Sequence, residues 1–225
     1  MPTTILITGG NRGLGKGLVA TYLSTPNTTV IATVRDPSKS ESLSTLPKAS
    51  GSSLFSHNLG ALDIVIASAG ISGPTHSLAE APVSELQKYI DVNAYGPFEL
   101  FKAVHPLLPS SSAEKKAKFV YISSAGGSLS AMYNFMPIPA YGASKALANF
   151  LFKWLALDNK DMIIWAQNPG NVDTDMARDG LDLAKSLGFD LSSLSFTSPE
   201  ETARAIKKVV CVLEFRRRCE CDRSD

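Results

Sequence analysis

Thr3-Thr4-Ile5-Leu6-Ile7-Thr8, followed at once by Gly9-Gly10-Asn11-Arg12-Gly13-Leu14-Gly15, is the stretch that decides the fold. A short apolar, β-branched run ends in a glycine-rich turn. From Gly13 to Ser24 apolar residues then recur near helical spacing, so the segment reads as strand, tight turn, helix. Glycines let a backbone turn sharply and approach a pyrophosphate, whose charge the N–H groups of the helix start would hold. Gly9, Asn11, Arg12, Gly13, Leu14 and Gly15 are therefore candidate dinucleotide-binding residues. An ATP-type phosphate loop is disfavoured, because Gly15-Lys16 is followed by Gly17 where a magnesium-binding hydroxyl would be needed.

The same alternation continues along the chain. Thr29 to Val34, Leu62 to Ala67, Lys118 to Ser123 and Met162 to Asn168 are short apolar runs. Between them lie the helical patterns Pro82 to Leu108 and Ala140 to Asp158, with Pro199 to Val212 after the last. Runs that are apolar on both faces suit a parallel sheet covered by helices, so the predicted class is α/β, a doubly wound parallel sheet of the Rossmann type. Ser198-Pro199-Glu200-Glu201 predicts a capping box at the start of the final helix. The 26 residues from 36 to 61, rich in Ser and Lys, show no regular pattern, so one strand and one helix of a full sheet are expected to be missing or degraded there. No strand pattern follows the final helix, and the last strand is expected to be absent. One domain over 1–212 and a polar tail over 213–225 are predicted. The tail, with Arg216-Arg217-Arg218, reads as a frayed terminus or, less well supported, as a basic docking site.

Composition excludes several classes. With 225 residues, 44% hydrophobic and 19% charged, the chain is neither disordered nor fibrous. Lys and Arg number 22 against 21 Asp and Glu, a net charge of +1, which gives no field for nucleic acid or an anionic membrane. The apolar run Leu62 to Ile71 is far shorter than the ~20 residues of a membrane helix. No export signal is visible, and a soluble, cytoplasmic protein is expected. Cys211, Cys219 and Cys221 lack zinc spacing and the three histidines are scattered, so no metal site is predicted.

Two residue groups carry candidate chemistry. Arg35, at the end of the second strand run, could clamp a 2′-phosphate together with Arg12, which argues for NADP(H), although Asp36 beside it would suit an unmodified ribose. Tyr141 and Lys145 stand at i, i+4 on one helix face, and Pro139 at the first helical position puts Tyr141 in the first turn. A nearby cation and the helix dipole both favour phenolate, lowering the phenol from its ordinary ~10 toward the range of a general acid.

Taken with these, the segments Thr8-Gly9-x-x-x-Gly13-x-Gly15, Val92-Asn93-Ala94-Tyr95-Gly96-Pro97, Tyr121-Ile122-Ser123-Ser124, Tyr141-x-x-x-Lys145 and Asn168-Pro169-Gly170-x-Val172-x-Thr174 resemble the short-chain dehydrogenase/reductase family. The Asn-Arg form of the glycine loop and Met132 to Phe135 look like the sniffer-like carbonyl reductases and the fungal ketoreductases of the norsolorinic acid type. The resemblance implies that Tyr141 donates a proton to a carbonyl oxygen and that Lys145 binds the nicotinamide ribose and lowers the phenol's pKa. It implies that Ser124, rather than Ser123, bonds the carbonyl, and that Asn93 kinks its helix and anchors the water of a proton relay. Ala69, Gly70, Pro169, Gly170, Val172 and Thr174 would hold the cofactor, with Asn93, Tyr141 and Lys145. A small-molecule carbonyl substrate and a possible homodimer through the Tyr95 and Tyr141 helices follow from the same likeness. Residues 177–197 would cover the substrate, with 132–139 as the opposite wall, where Tyr133 and Phe135 suit a bulky ketone.

The chain departs from that pattern where Ala67-Ser68-Ala69-Gly70 replaces the family's Asn-Asn-Ala-Gly, and where the third strand cannot be located. An alternative is therefore a catalytically silent or nonproductive nucleotide-binding protein. A serine hydrolase is disfavoured, since Gly142-Ala143-Ser144-Lys145-Ala146 has no histidine after it. Ser112-Ala113-Glu114-Lys115 lacks the companions of a penicillin-binding site.

Overall fold

A computed structural model describes the chain except residues 1, 2, 37, 39, 40, 56–60, 74, 109–115, 131, 133–136, 193 and 222–225. The strands are β1 (Thr3–Thr8), β2 (Thr28–Thr33), β3 (Ser53–Phe55), β4 (Ile64–Ala67), β5 (Lys118–Ile122) and β6 (Ile163–Gln167). They form one sheet in the order β3-β2-β1-β4-β5-β6, and every pairing is parallel. The helices are α1 (Gly13–Leu23), α2 (Glu41–Ser44), α3 (Val83–Ile90), α4 (Gly96–Val104), α5 (Pro139–Asp158), α6 (Asp175–Ser186) and α7 (Pro199–Cys221).

Alternation along the strands builds two cores. Ile5 and Ile7 of β1, with Val30, Ile64, Ile66, Val120 and Ile122, face α1 and α7. Leu6, Val65, Phe119 and Tyr121 face the other way, onto Phe101 of α4 and Phe152 of α5. Each such fully buried side chain contributes ~1.5–3 kcal/mol. Because both faces are covered, the strands lack the polar alternation of a half-exposed sheet. The capping box at α7 forms: Ser198 Oγ donates to Glu201 Oε2 at 2.9 Å, and the Glu201 N–H returns a bond to Ser198 Oγ at 3.2 Å.

The strand and helix expected to be missing or degraded over 36–61 are present in shortened form: β3 has three residues and pairs with β2 at the sheet edge through Thr29, Val30 and Ile31. Three residues are too few to show a period, which is why the run escapes notice in the sequence. The chain around it is short too. α2 has four residues, and only eight residues separate Phe55 from Ile64. Register places Phe55 level with Ile31, Leu6 and Val65. The link thus crosses three strand spacings, about 14 Å, within reach of eight residues without a full crossover helix. No strand follows α7 among the described residues, and α7 runs to Cys221, beyond the predicted end at Val212.

Strand order reverses between β1 and β4, so the chain leaves these neighbours in opposite directions and a crevice opens beyond their carboxyl ends.

Candidate active site

That crevice is a cleft of about 580 Å³. At one end the turn from Gly9 to Gly13 enters α1. Gly9 has φ +70°, and a Cβ on Gly15 would lie 2.1 Å from the Gly9 carbonyl oxygen, so the turn folds back on the helix start more closely than any side chain permits. No side chain caps α1 and its first turn holds no acid, which leaves its N–H groups and positive dipole end open toward the cleft. Thr8 Oγ1 accepts the N–H groups of Ser68 and Ala69 at 3.1 and 3.0 Å, so a hydroxyl ties the β4 turn to β1 where the family's amides are absent.

Gly9, Asn11, Arg12, Gly13, Leu14, Gly15, Arg35, Ala69 and Gly70 all line this cleft. So do Ser124, Tyr141, Lys145, Pro169, Gly170, Val172 and Thr174. Arg12 and Arg35 are exposed, and neither enters an ion pair among the described residues. The predicted set is brought together with one exception. Asn93 is fully buried one layer behind the wall: a Cβ on Gly70 would meet Asn93 Oδ1 at 3.1 Å and Lys145 Nζ at 3.9 Å.

Asn93 sits in a π-helical turn, Asp91–Tyr95, between α3 and α4. The next α-helical donor to its carbonyl would be residue 97, which is a proline without an N–H. The kink thus has a local cause. The side chain is fully used: Oδ1 accepts the Ile71 N–H at 2.9 Å, and Nδ2 donates to the Ile71 carbonyl at 2.9 Å and to Ser144 Oγ at 3.0 Å.

Pro139 starts α5, placing Tyr141 in its first turn. The two adjacent serines at the end of β5 diverge. Ser123 Oγ donates to Asn149 Oδ1 at 2.6 Å, whereas Ser124 Oγ lies beside the Tyr141 ring and accepts the Gly126 N–H at 3.1 Å. Lys145, 5% exposed, donates to the Ile122 carbonyl at 2.8 Å. Its stem is pinned by a tight 3₁₀ turn, Ala125–Gly127, since a Cβ on Gly127 would lie 2.7 Å from Lys145 Cβ.

Burial shapes both titrations. It lowers the Lys145 ammonium from 10.5 to about 7. It raises Tyr141 above 10, and the neighbouring Ser124 hydroxyl pulls the other way without cancelling it. The expectation that neighbours hold Tyr141 toward phenolate is therefore corrected: in this state the phenol keeps its proton at neutral pH. An isolated helix has no burial in it, so spacing on α5 alone misses the dominant effect.

The far wall is α6, contributing Met176 and Leu181, with Leu194 and Phe196 beyond it. The sequence marks this stretch only as a cover. Thr174 Oγ1 caps α6 by accepting the Ala177 N–H at 3.2 Å, and a Cβ on Gly13 would meet its methyl at 3.1 Å. Ile138 lines the opposite side; Tyr133 and Phe135 lie outside the described residues. Sequence reasoning also missed the Ile122 carbonyl and the Tyr121 ring around Lys145, contacts between distant segments that no spacing records. Among the described residues no His, Cys, Asp and Glu cluster could hold a metal, and no helix is long and apolar enough to cross a membrane.

Residues 52–182 match the short chain dehydrogenase family model. The chain is 77% identical over 230 residues to the short chain dehydrogenase gsfK of Penicillium aethiopicum, covering 93% of this chain and 92% of that protein. That alignment is longer than the chain itself, so the relative has residues that this chain lacks. The norsolorinic acid ketoreductase nor1 of Dothistroma septosporum is 37% identical over 205 residues, covering 80% of this chain and 76% of that protein. Among solved structures, the NADPH-bound carbonyl reductase from chicken fatty liver superposes with a TM-score of 0.72 at 24% identity, covering 89% of this chain and 84% of that one. A structural likeness at that identity speaks to the fold. With the sequence relatives it leaves one conclusion: this chain belongs to the short-chain dehydrogenase/reductase family of oxidoreductases.

Proposed function

We propose that the protein reduces a ketone with NADPH, Tyr141 giving the proton to the carbonyl oxygen. The observation that carries this reading is the convergence of the Tyr141 phenol, the Ser124 hydroxyl and the Lys145 amine on one cleft. The opposite end of that cleft is the glycine turn with two exposed guanidinium groups that enter no ion pair among the described residues. A protonated phenol beside a serine hydroxyl is a hydrogen-bond donor set, suited to an oxygen that gains charge.

The residues present fit the cofactor. The open N–H groups of α1 and the turn Gly9 to Gly15 would hold the pyrophosphate, and Arg12 with Arg35 the 2′-phosphate. Ala69, Gly70, Pro169, Gly170, Val172 and Thr174 would hold the remainder, with Lys145 at the nicotinamide ribose. When bound, the cofactor supplies the hydride. Ser124 orients the carbonyl, Tyr141 protonates it, and Lys145 carries the charge that favours proton release. The Asn93 carbonyl, without an amide partner at residue 97, is the place for the water that would refill Tyr141. An aromatic, polyketide-type ketone is supported by the ketoreductase relative and by the apolar wall of Met176, Leu181, Leu194 and Phe196.

A homodimer through the Tyr95 and Tyr141 helices belongs to the same reading, supported by the exposed Tyr95, Phe150 and Trp154. So do a single domain over 1–212 with a polar tail, and a cytoplasmic site of action for a chain with a free thiol at Cys211. The test is NADPH oxidation by purified protein against a panel of carbonyls that includes aromatic polyketide ketones. Turnover with at least one ketone is expected. Tight NADPH binding with no turnover on any would support the silent-binder alternative instead.

A further inference from the structure

The Lys145 amine is buried and donates to Ile122 O, and among the described residues a ring also lies close: Nζ is 4.7 Å from the centroid of Tyr121 on β5. We infer that Tyr121 is a positioning residue, whose aromatic face holds the Lys145 ammonium in place and in its charged form. The part this plays in turnover rests on the function proposed above; the effect on Lys145 does not.

Three observations carry the inference. First, the ring is held rigidly. Tyr121 is fully buried and stacks on Phe152 with centroids 4.8 Å apart and planes 4° from parallel. Phe152 stacks in turn on Phe119 at 5.4 Å, and Phe119 packs edge-on against Phe101 at 5.3 Å. Lys145 and Phe152 are seven positions apart on α5, on the same helix face, and both bear on this ring. Second, the hydroxyl is not what the position uses. Tyr121 Oη is buried without a hydrogen-bond partner, a cost that phenylalanine would avoid. Third, beyond the Ile122 carbonyl no charged group on the described walls compensates the ammonium. The titratable groups facing the ammonium are the phenols of Tyr121 and of Tyr141, the latter's ring centroid 5.7 Å away on its own helix. The β4 turn contributes Gly70 and the π-turn Asn93, neither of which titrates. A negative ring face then joins the Ile122 carbonyl in offsetting the burial that depresses this lysine.

The test is a titration of Lys145 by NMR of lysine labelled at the ε-carbon, with its signal assigned through Lys145→Met. Wild type is compared with Tyr121→Phe, Tyr121→Leu and the shape-preserving Tyr121→pentafluorophenylalanine, whose ring has lost its negative face. Tyr121→Phe should leave the Lys145 midpoint where it is. Tyr121→Leu and the fluorinated ring should each lower it by about one pH unit, a tenfold loss of the ammonium form. The fluorinated variant decides the matter if Tyr121→Leu fails to fold. An unchanged midpoint with the fluorinated ring overturns the inference. The expected shifts in a protein that reduces no carbonyl would uphold it while removing the proposed function.

Discussion

Asn93 and Ile71 are joined by a pair of hydrogen bonds in which one side-chain amide satisfies both backbone groups of one residue, each at 2.9 Å. This ties the π-turn to the segment after β4 and sets Gly70 against the cleft. Through Ser144 Oγ the same amide reaches α5.

Replacing Asn93 by Ala should therefore cost stability and binding together. It orphans the half-buried backbone groups of Ile71 and removes a partner from the buried Ser144, at ~1–3 kcal/mol for each unsatisfied group. A drop of about 3 kcal/mol in unfolding free energy and a loss of NADPH affinity are expected, read by urea denaturation and fluorescence titration. Unchanged stability would show that this link does not hold the two segments together.

Cofactor preference should reside in Arg12 and Arg35. Each Arg→Ala change should reduce kcat/KM for NADPH about tenfold or more, as the loss of charged hydrogen bonds implies, and leave NADH nearly untouched. Equal losses with both cofactors would assign the two arginines another role.

The 3₁₀ turn beside the phenol should distinguish two adjacent glycines. Gly127→Ala drives a methyl to 2.7 Å from Lys145 Cβ and 2.8 Å from its carbonyl carbon, so α5 must shift. Gly126→Ala meets nothing nearer than 3.6 Å. Activity should fall by more than about tenfold in the first, since a misplacement of ~1 Å is costly, and stay near wild type in the second.

Stability should follow pH with a maximum. Lys145 has a folded-state pKa of about 7 against 10.5 when free, so the unfolded chain binds more protons between those values and stability rises with pH across that window. Tyr22, Tyr121 and Tyr141 are raised above 10 by burial. The unfolded chain gives up those protons first, and stability falls above about pH 10. Denaturant midpoints of the protein without cofactor should climb from pH 7 toward 10 and then drop. Lys145→Met should flatten the climb and keep the drop.

The exposed aromatic face of α5 predicts self-association. Phe150 and Trp154, 64% and 57% exposed, stack on each other at 6.0 Å. Light scattering should report a dimer for wild type and a monomer for Phe150→Glu combined with Trp154→Glu.

Much of this was legible in the chain because it is local. The turn Gly9 to Gly15 announces itself by glycine spacing, Tyr141 and Lys145 by one helical turn, and the start of α7 by Ser198 and Glu201. Ser124 and Asn93 needed the family pattern, since neither differs locally from an ordinary capping residue. What escaped was nonlocal or too short. Ser53–Phe55 becomes a strand only because β2 offers an edge. The Tyr121 ring meets Lys145 only once β5 lies under α5. The raised phenol of Tyr141 reflects mass packed around it from several segments, which no window of sequence contains.

The most direct test of the central claim is turnover by Tyr141→Phe, measured as NADPH oxidation with a ketone that wild type reduces, beside NADPH binding in the same preparation. Removing a proton donor should cut kcat by ~10²–10⁴ while the binding constant moves no more than a few-fold. A Tyr141→Phe protein that reduces the ketone at the wild-type rate would contradict the account.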